Sequence, residues 1–485
     1  MFYPLHSSGI SPERSTPRKI KTKNLGPSTV ESPEKTQLSE HSDTVVAIST
    51  PPGFGGIGIV RVSGQGAEQI ALTLLGDVPR HRIAKVCRFR DGQQGFIDEG
   101  VALLFKGPQS YTGEDTLELY GHGGPMVMDL LVERILSMGA RAARPGEFTE
   151  RAFLNGKVDL TQAEAVADLI ESRTKAAAQA ALRSLSGQFS SELFELDSKL
   201  GELRASVEAD IDFADEDLSR LEPETIRAQI DGIVGALDKL LNRARPGSFL
   251  VSGAVAVLVG PPNVGKSSVL NALSGQDRAI VSARPGTTRD LVEVDINLNG
   301  VPLRLIDTAG HRASPDPIEA EGIKRANRAI AKADLVLVVS DDASTETYDL
   351  NMLENTETPV FILINKCDLT GQPYGEILKP AKSNRSFAIS ATQQEGLEEL
   401  QDAMEGVFGK TGGAEAPFAA RRRHLDAIQR AKHCLDATNS GVTSSAIELL
   451  AEELRLAQNI LGEITGRGST EELLGQIFSR FCIGK

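Results

Sequence analysis

AVAVLVGPPNVGKS, residues 254–267, decides how the rest of the chain is read. Ala254–Val259 is an apolar, partly β-branched run of strand length. Gly260 to Ser267 then follows the pattern G-x-x-x-x-G-K-[ST], and a stretch with helical spacing begins at Lys266. A glycine-rich loop between a strand and a helix aims backbone N–H groups and the positive helix end at phosphate oxygens, with the lysine reaching the outer phosphates and the hydroxyl reaching Mg²⁺. Asn263, Val264, Gly265, Lys266, Ser267 and Ser268 are therefore the candidate phosphate cradle, and Ser267 a candidate Mg²⁺ ligand.

Outward from this loop, residues 251–410 alternate strands and helices. VEVDINL and VPLRLID are joined by Asn299-Gly300, a dipeptide suited to a tight hairpin, and DLVLVVSD, PVFILIN and RSFAIS follow. This predicts a doubly wound sheet with one added antiparallel strand. Thr288, in PGTTRD, lies between the loop and VPLRLID, where a second hydroxyl for Mg²⁺ belongs. Asp307-Thr308-Ala309-Gly310 closes that strand, with its aspartate oriented toward the metal shell and Gly310 N–H toward the outermost phosphate.

Asn365-Lys366-Cys367-Asp368 resembles the NKxD motif of GTPases, in which the aspartate accepts from guanine donors that adenine lacks. Ser390-Ala391 resembles the last base-contacting loop of that fold.

The flanks differ in character. Residues 43–158 hold β-branched runs (TVVAIST, GIGIVRVSG, EGVALLF, DTLELYGHGG) and predict a small α+β domain. Residues 159–250 and 411–485 are rich in Ala, Leu, Glu and Lys at helical spacing, so the expected architecture is one helical domain interrupted by the α/β domain. Residues 1–42 are rich in Ser, Thr, Pro and charge and predict a disordered extension. Basic groups with the single acid Glu13 over its first thirty residues weakly resemble a transit peptide, which leaves a mitochondrial address as the alternative to a cytoplasmic one.

Bulk properties exclude several classes. The 485 residues suffice for about three domains, and no apolar run is long enough to span a bilayer. A net charge of −14 argues against broad nucleic-acid binding outside local basic patches. Arg421-Arg422-Arg423-His424 is such a patch, read either as an RNA contact or as a solvated helix cap. Cys87, Cys367, Cys434 and Cys482 form no CxxC pair, which fits a reducing compartment. Cys482 stands fourth from the end, but Gly484 and Lys485 do not suit a prenylation signal.

Taken together, DTVVAISTPPGFGGIGIVRVSG, YTGEDTLELYGHGGP, RPGEFTERAFLNGKVDLTQAEAVADLI, the nucleotide motifs and the terminal FCIGK resemble the MnmE (TrmE) family of tRNA-modifying GTPases over residues 43–485. The resemblance implies a GTP hydrolase and a homodimer made through a folate-binding N-terminal domain. It further implies an FAD-binding partner (GidA/MnmG) joined in a heterotetramer or larger complex, and tRNA as the object of modification. A 5-formyl- or methylene-tetrahydrofolate would supply one carbon toward an aminomethyl or carboxymethylaminomethyl group on the wobble uridine. Arg61, Glu118, Lys157 and Lys485 align with folate-contacting positions, and Cys482, in the family's terminal motif, is a candidate catalytic residue. Asn263, Ser282, Arg284 and Thr287 align with the site of a K⁺ ion that does the work of an arginine finger, within a nucleotide-facing loop Ser282-Ala283-Arg284-Pro285-Gly286-Thr287-Thr288. Pro285 departs from the family pattern. For positioning the attacking water the family implies Glu319, whereas His311, directly after Gly310, resembles the histidine of translational GTPases; both stay open at this point. A regulatory or ribosome-assembly GTPase would share the nucleotide motifs but need neither the folate residues nor the terminal cysteine motif.

Overall fold

The computed structural model describes residues 43–212, 222–276, 292–307, 329–341, 358–377, 385–409, 418–439, 447–468 and 470–484. The predicted extension 1–42 lies outside them.

The first sheet has six strands in the order β3-β4-β5-β2-β1-β6: β1 (Val45–Ile48), β2 (Gly55–Ser63), β3 (Lys85–Arg90), β4 (Phe96–Phe105), β5 (Thr116–Gly123) and β6 (Arg141–Ala142). Strand alternation sorts its side chains onto two faces. Val46, Val60, Val62, Leu117 and Leu119 pack under α1 (Ala67–Leu75) and α2 (Pro125–Leu136). On the opposite face Val45 and Ala47 pack with Phe148 of α3 (Glu147–Leu154) and with Tyr111. Arg61 and Glu118 are direct cross-strand partners between β2 and β5, so the register that buries Val60 and Val62 on the first face sends both charged residues to the second.

Residues 159–212 form three helices where one continuous helical stretch was legible: α4 (Leu160–Glu171), α5 (Lys175–Leu185) and α6 (Gln188–Asp212). Asp159 opens α4 with a reciprocal capping box to Gln162. The chain then breaks at Ser172 in an extended conformation, and Thr174 caps α5 by accepting from Ala177 N. Gly187, at φ 84°, turns the chain into α6.

Helix α7 (Pro223–Ser252) leads into the second sheet, whose order is β12-β13-β11-β10-β7-β9-β8. Its strands are β7 (Ala254–Val259), β8 (Val292–Leu298), β9 (Val301–Asp307), β10 (Leu335–Ser340), β11 (Val360–Ile364), β12 (Gly375–Ile377) and β13 (Arg385–Ala388), with helices α8 (Lys266–Gln276), α9 (Cys367–Thr370) and α10 (Leu397–Phe408). β13, β11, β10, β7 and β9 run parallel, and β8 is antiparallel to β9 as expected. A further antiparallel edge strand, β12, was not legible.

The chain then returns to α11 (Arg422–Asn439) and α12 (Ile447–Thr465), which bury Ile428, Leu435, Leu454 and Leu461 against Leu193, Leu200, Ile230 and Leu237 of α6 and α7. Entry and exit of the sheet lie side by side. A Cβ on Gly247 of α7 would stand 1.5 Å from the carbonyl oxygen of Phe418, so only glycine allows the returning backbone to cross so closely. The last helix, α13 (Glu471–Phe478), packs Ile477 and Phe478 on Leu160 and Ala163 of α4, joined by Phe481 just beyond its end.

Candidate functional site

The phosphate loop sits at the carboxyl ends of the parallel strands, where doubly wound folds place their ligands. Asn263 (φ 64°), Gly260 (φ 145°) and Gly265 (φ 96°) turn it back on itself. A Cβ on Gly260 would meet the Val339 carbonyl at 2.2 Å, and one on Gly265 the Asn365 side-chain amide at 2.3 Å. The glycines thus let β10 and the Asn365 loop close against the cradle. Lys266 is buried, and its Nζ donates to the carbonyls of Gly260 (2.8 Å) and Pro261 (2.6 Å). Burial pushes its ammonium down, with the Asp307 carboxylate pulling the other way. Pairing of β7 with β9 sets Asp307 opposite Leu258, and the Ser267 hydroxyl donates to Asp307 Oδ2 at 2.8 Å.

Asn365 ties three separate stretches together. Its Nδ2 donates to the Val264 carbonyl at 2.9 Å, and its Oδ1 accepts from Ala391 N at 3.1 Å. Lys366, at φ 64°, donates to the Asn263 carbonyl (2.8 Å) and to Asp341 (3.0 Å). Ser390 donates its hydroxyl to Asp368 Oδ1 at 2.7 Å. Cys367 is a buried packing residue inside this frame. The predicted phosphate loop, Asn365, Lys366, Asp368, Ser390 and Ala391 therefore converge. Ser282, Ala283, Arg284, Pro285, Gly286, Thr287, Thr288, Thr308, Ala309, Gly310, His311 and Glu319 lie outside the described residues.

On the first sheet, Arg61 and Glu118 are 4% and 0% exposed. Arg61 Nε donates to Glu118 Oε1 at 2.9 Å, its Nη2 lies 2.8 Å from the same oxygen, and the Tyr120 hydroxyl donates to Oε2 at 2.6 Å. The Arg61 guanidinium stands 5.6 Å from the ring centres of both Tyr111 and Phe148. Lys157 donates to the Pro108 carbonyl at 2.9 Å. Sequence reasoning missed Tyr111, Tyr120 and Phe148; the alternation Glu118-Leu119-Tyr120 on one strand was the available signal.

The C-terminal tail reaches this same sheet. The exposed Cys482 uses its carbonyl to accept from Gly146 N (3.3 Å), at the start of the helix that carries Phe148. A Cβ on Gly484 would stand 2.1 Å from the Ile48 carbonyl, so the tail lies directly on the end of β1. Lys485 lies outside the described residues.

Within the Arg421–His424 patch Arg421, Arg423 and His424 are drawn into the protein by acidic partners, while Arg422 stays mostly exposed. Arg421 pairs with Asp168 at 2.7 Å, Arg423 with Glu164 at 2.7 Å, and Arg422 with Asp334 at 2.7 Å. His424 is 1% exposed; its Nδ1 accepts from Arg421 N, so Nε2 carries the proton toward Glu164 at 2.8 Å. Burial would raise Glu164, but His424 and Arg423 outweigh it and hold the carboxyl well below the usual range.

Two family models divide almost the whole described unit: the GTP-binding protein TrmE N-terminus matches residues 44–157, and the MnmE helical domain matches residues 160–482. The tRNA modification GTPase MnmE of Methylococcus capsulatus is 49% identical over 444 residues, covering 91% of this chain and 99% of the relative. The chain belongs to the MnmE family of tRNA modification GTPases. Its MnmE relative from Sodalis glossinidius is 48% identical over 453 residues, covering 92% of this chain and 99% of that protein; the one from Pectobacterium atrosepticum is 47% identical over 455 residues, covering 92% and 100%. As a member of this family the chain is a GTP hydrolase. Among the described residues no helix is long and apolar enough to cross a membrane.

Proposed function

We propose that the protein is the GTP-hydrolysing subunit of a tRNA-modifying complex. With an FAD-dependent partner of the GidA/MnmG kind, it builds an aminomethyl or carboxymethylaminomethyl group at C5 of the wobble uridine from a tetrahydrofolate one-carbon unit. The observation that carries this reading is the docking of Cys482 and Gly484 at the end of the sheet that holds the buried Arg61–Glu118 pair. A GTPase that acts only as a switch has no need of either feature. None of the four cysteines is in a disulfide, consistent with work in a reducing compartment such as the cytoplasm.

At the nucleotide site, Lys266 exchanges its two loop carbonyls for the β- and γ-phosphate oxygens. Ser267, donating its proton to Asp307, keeps oxygen lone pairs for a cation, so the pair fits Mg²⁺; Thr288 is the second proposed ligand. Mg²⁺ and a K⁺ held by Asn263, Ser282, Arg284 and Thr287 would neutralise the charge that builds up during phosphoryl transfer. Asp368, fixed by Ser390, selects guanine by accepting from its N1–H and amino group. Glu319 positions the attacking water, with His311 the competing candidate; single-turnover rates of Glu319→Ala and His311→Leu separate them, and loss in the histidine variant alone refutes the glutamate assignment.

At the first sheet, a buried carboxylate beside a buried guanidinium, walled by Tyr111 and Phe148, is a donor–acceptor set that fits a flat pterin and its one-carbon substituent. Lys157, Lys485 and Cys482 complete the proposed folate site, which the family makes as a homodimer. The reading is tested by the initial rate of GTP hydrolysis in KCl and in NaCl at equal ionic strength. Strong stimulation by K⁺ is expected; equal rates would remove the cation mechanism and favour an ordinary GTPase switch.

A further inference from the structure

The β8–β9 hairpin is attached at both ends to elements of different kinds. One end closes at Asp307, which receives the Ser267 hydroxyl at the nucleotide site. The other end is the Asn299-Gly300 turn, with both residues at positive φ and Gly300 N donating to Asn297 Oδ1 at 2.8 Å. At about 3.3 Å per strand residue, the seven residues of β9 separate these ends by roughly 23 Å.

That far end is clamped on the helical unit. Thr174, 8% exposed, donates its hydroxyl to the Gly300 carbonyl at 2.7 Å while accepting from Ala177 N at 3.1 Å. One hydroxyl thereby caps α5 and holds the hairpin turn. Arg173 pairs with Asp295 of β8 at 3.4 Å, and Asp295 also accepts from Arg304 of β9 at 3.0 Å. Ala177, Ala180 and Ala181 of α5 share one apolar core with Ile296, Leu298, Val301 and Leu303 of the hairpin. Beside the clamp the hairpin faces open space. A cavity of about 990 Å³ separates Asp295, Pro302 and Arg304 from α4 and from Gln476, Arg480 and Phe481 at the end of the chain. Phe481 immediately precedes Cys482.

From this geometry we infer that Thr174 is a positioning residue through which the nucleotide site and the helical unit sense each other, with the β8–β9 hairpin as the rigid element between them. The inference rests on the GTPase reading of the Lys266 site. A strand pair in fixed register shifts as a body, so a change in how Asp307 and Ser267 engage a bound nucleotide is delivered at Gly300, where Thr174 and Arg173 are the first groups to feel it. The cavity leaves the hairpin room to move on its open flank. Coupling is reciprocal: whatever fixes α5 also biases Asp307.

The test is amide hydrogen exchange on the full chain, nucleotide-free, with GDP and with a non-hydrolysable GTP analogue in KCl, followed in peptides covering residues 260–268 and 173–181. Wild type is expected to show protection at 260–268 with either nucleotide and a difference between GDP and the analogue at 173–181. In Thr174→Val that difference disappears while nucleotide affinity stays within about twofold, and Thr174→Ser restores it. Asp295→Asn, which removes a partly exposed ion pair and leaves the cap intact, is expected to reduce the difference about halfway. Nucleotide protection at 260–268 with no response at 173–181 in wild type overturns the inference and leaves the GTPase reading standing. Equal responses in Thr174→Val and wild type also overturn it. No protection at 260–268 would overturn both.

Discussion

The nucleotide site and the Arg61–Glu118 site solve the problem of holding charge in opposite ways. The first is assembled from loops at the ends of parallel strands, where backbone groups do much of the holding and Asn365 stitches separate loops together. The second lies on the face of an antiparallel sheet, where two side chains from neighbouring strands hold each other. Backbone-built sites demand glycine, asparagine and lysine at fixed spacing and so leave a motif. A site built by strand register asks only that two residues far apart in sequence fall opposite each other, and it leaves almost none.

Glu118 is the position where a single substitution costs most. Replacing it by alanine strands a buried guanidinium, which costs about 3–5 kcal/mol. Thermal unfolding should fall accordingly and binding of a tetrahydrofolate, followed by its fluorescence, should be lost, while Glu118→Gln recovers much of the stability. Unchanged melting would mean that the pair is not mutually dependent. Lys266→Ala should instead leave folding nearly intact and lower GTP turnover by roughly 10²–10³, the usual effect of removing a group that stabilises transition-state charge. Steady-state phosphate release measures it, and a loss below about tenfold contradicts the role given to the ammonium. Asp368→Asn should weaken GTP by about 1.5–3 kcal/mol, the range for a hydrogen bond to a charged group, and shift preference toward xanthosine nucleotides. Competition binding decides this, and unaltered GTP affinity would remove Asp368 from base recognition.

The smallest effect lies between the two regions, at Asp168. Burial pushes its carboxyl up from 3.8 to about 6, against the pull of Arg421. A raised folded pKa means that the folded protein holds the proton more tightly. The resulting stabilisation is present below about pH 4 and is lost as pH rises through about 6. Asp168→Asn keeps an acceptor for Arg421 without the titration, so its stability relative to wild type should rise by about 1–2 kcal/mol from pH 4 to pH 7. Chemical denaturation at the two pH values tests this, and a difference that does not change with pH would contradict it.

Legibility in the sequence follows the same division. Alternating apolar residues revealed β1, β2, β4 and β5, the phosphate loop lay between its strand and helix, and Asn299-Gly300 marked a true hairpin. Strand β3 escaped because KVCRFR carries three basic residues and buries only Phe89 on an outer strand, and the two-residue β6 is defined by pairing with β1 alone. The breaks between α4, α5 and α6 are set by Thr174 meeting a hairpin distant in sequence and by one glycine, neither of which stands out among good helix formers. Arg421–His424 looked solvated because its partners Glu164, Asp168 and Asp334 are far away in the chain. The Arg61–Glu118 pair could be named only by family resemblance, while its aromatic walls needed the fold.

The most direct test of the account joins its two sites in one assay. The protein, an FAD-loaded partner flavoprotein, NADH, an unmodified tRNA and tetrahydrofolate labelled in its one-carbon unit are incubated with an amine donor and either GTP or a non-hydrolysable analogue. The account predicts label at C5 of the wobble uridine with GTP, and none with the analogue, with Lys266→Ala or with Glu118→Gln. Normal GTP hydrolysis without any transfer of label to tRNA would contradict it.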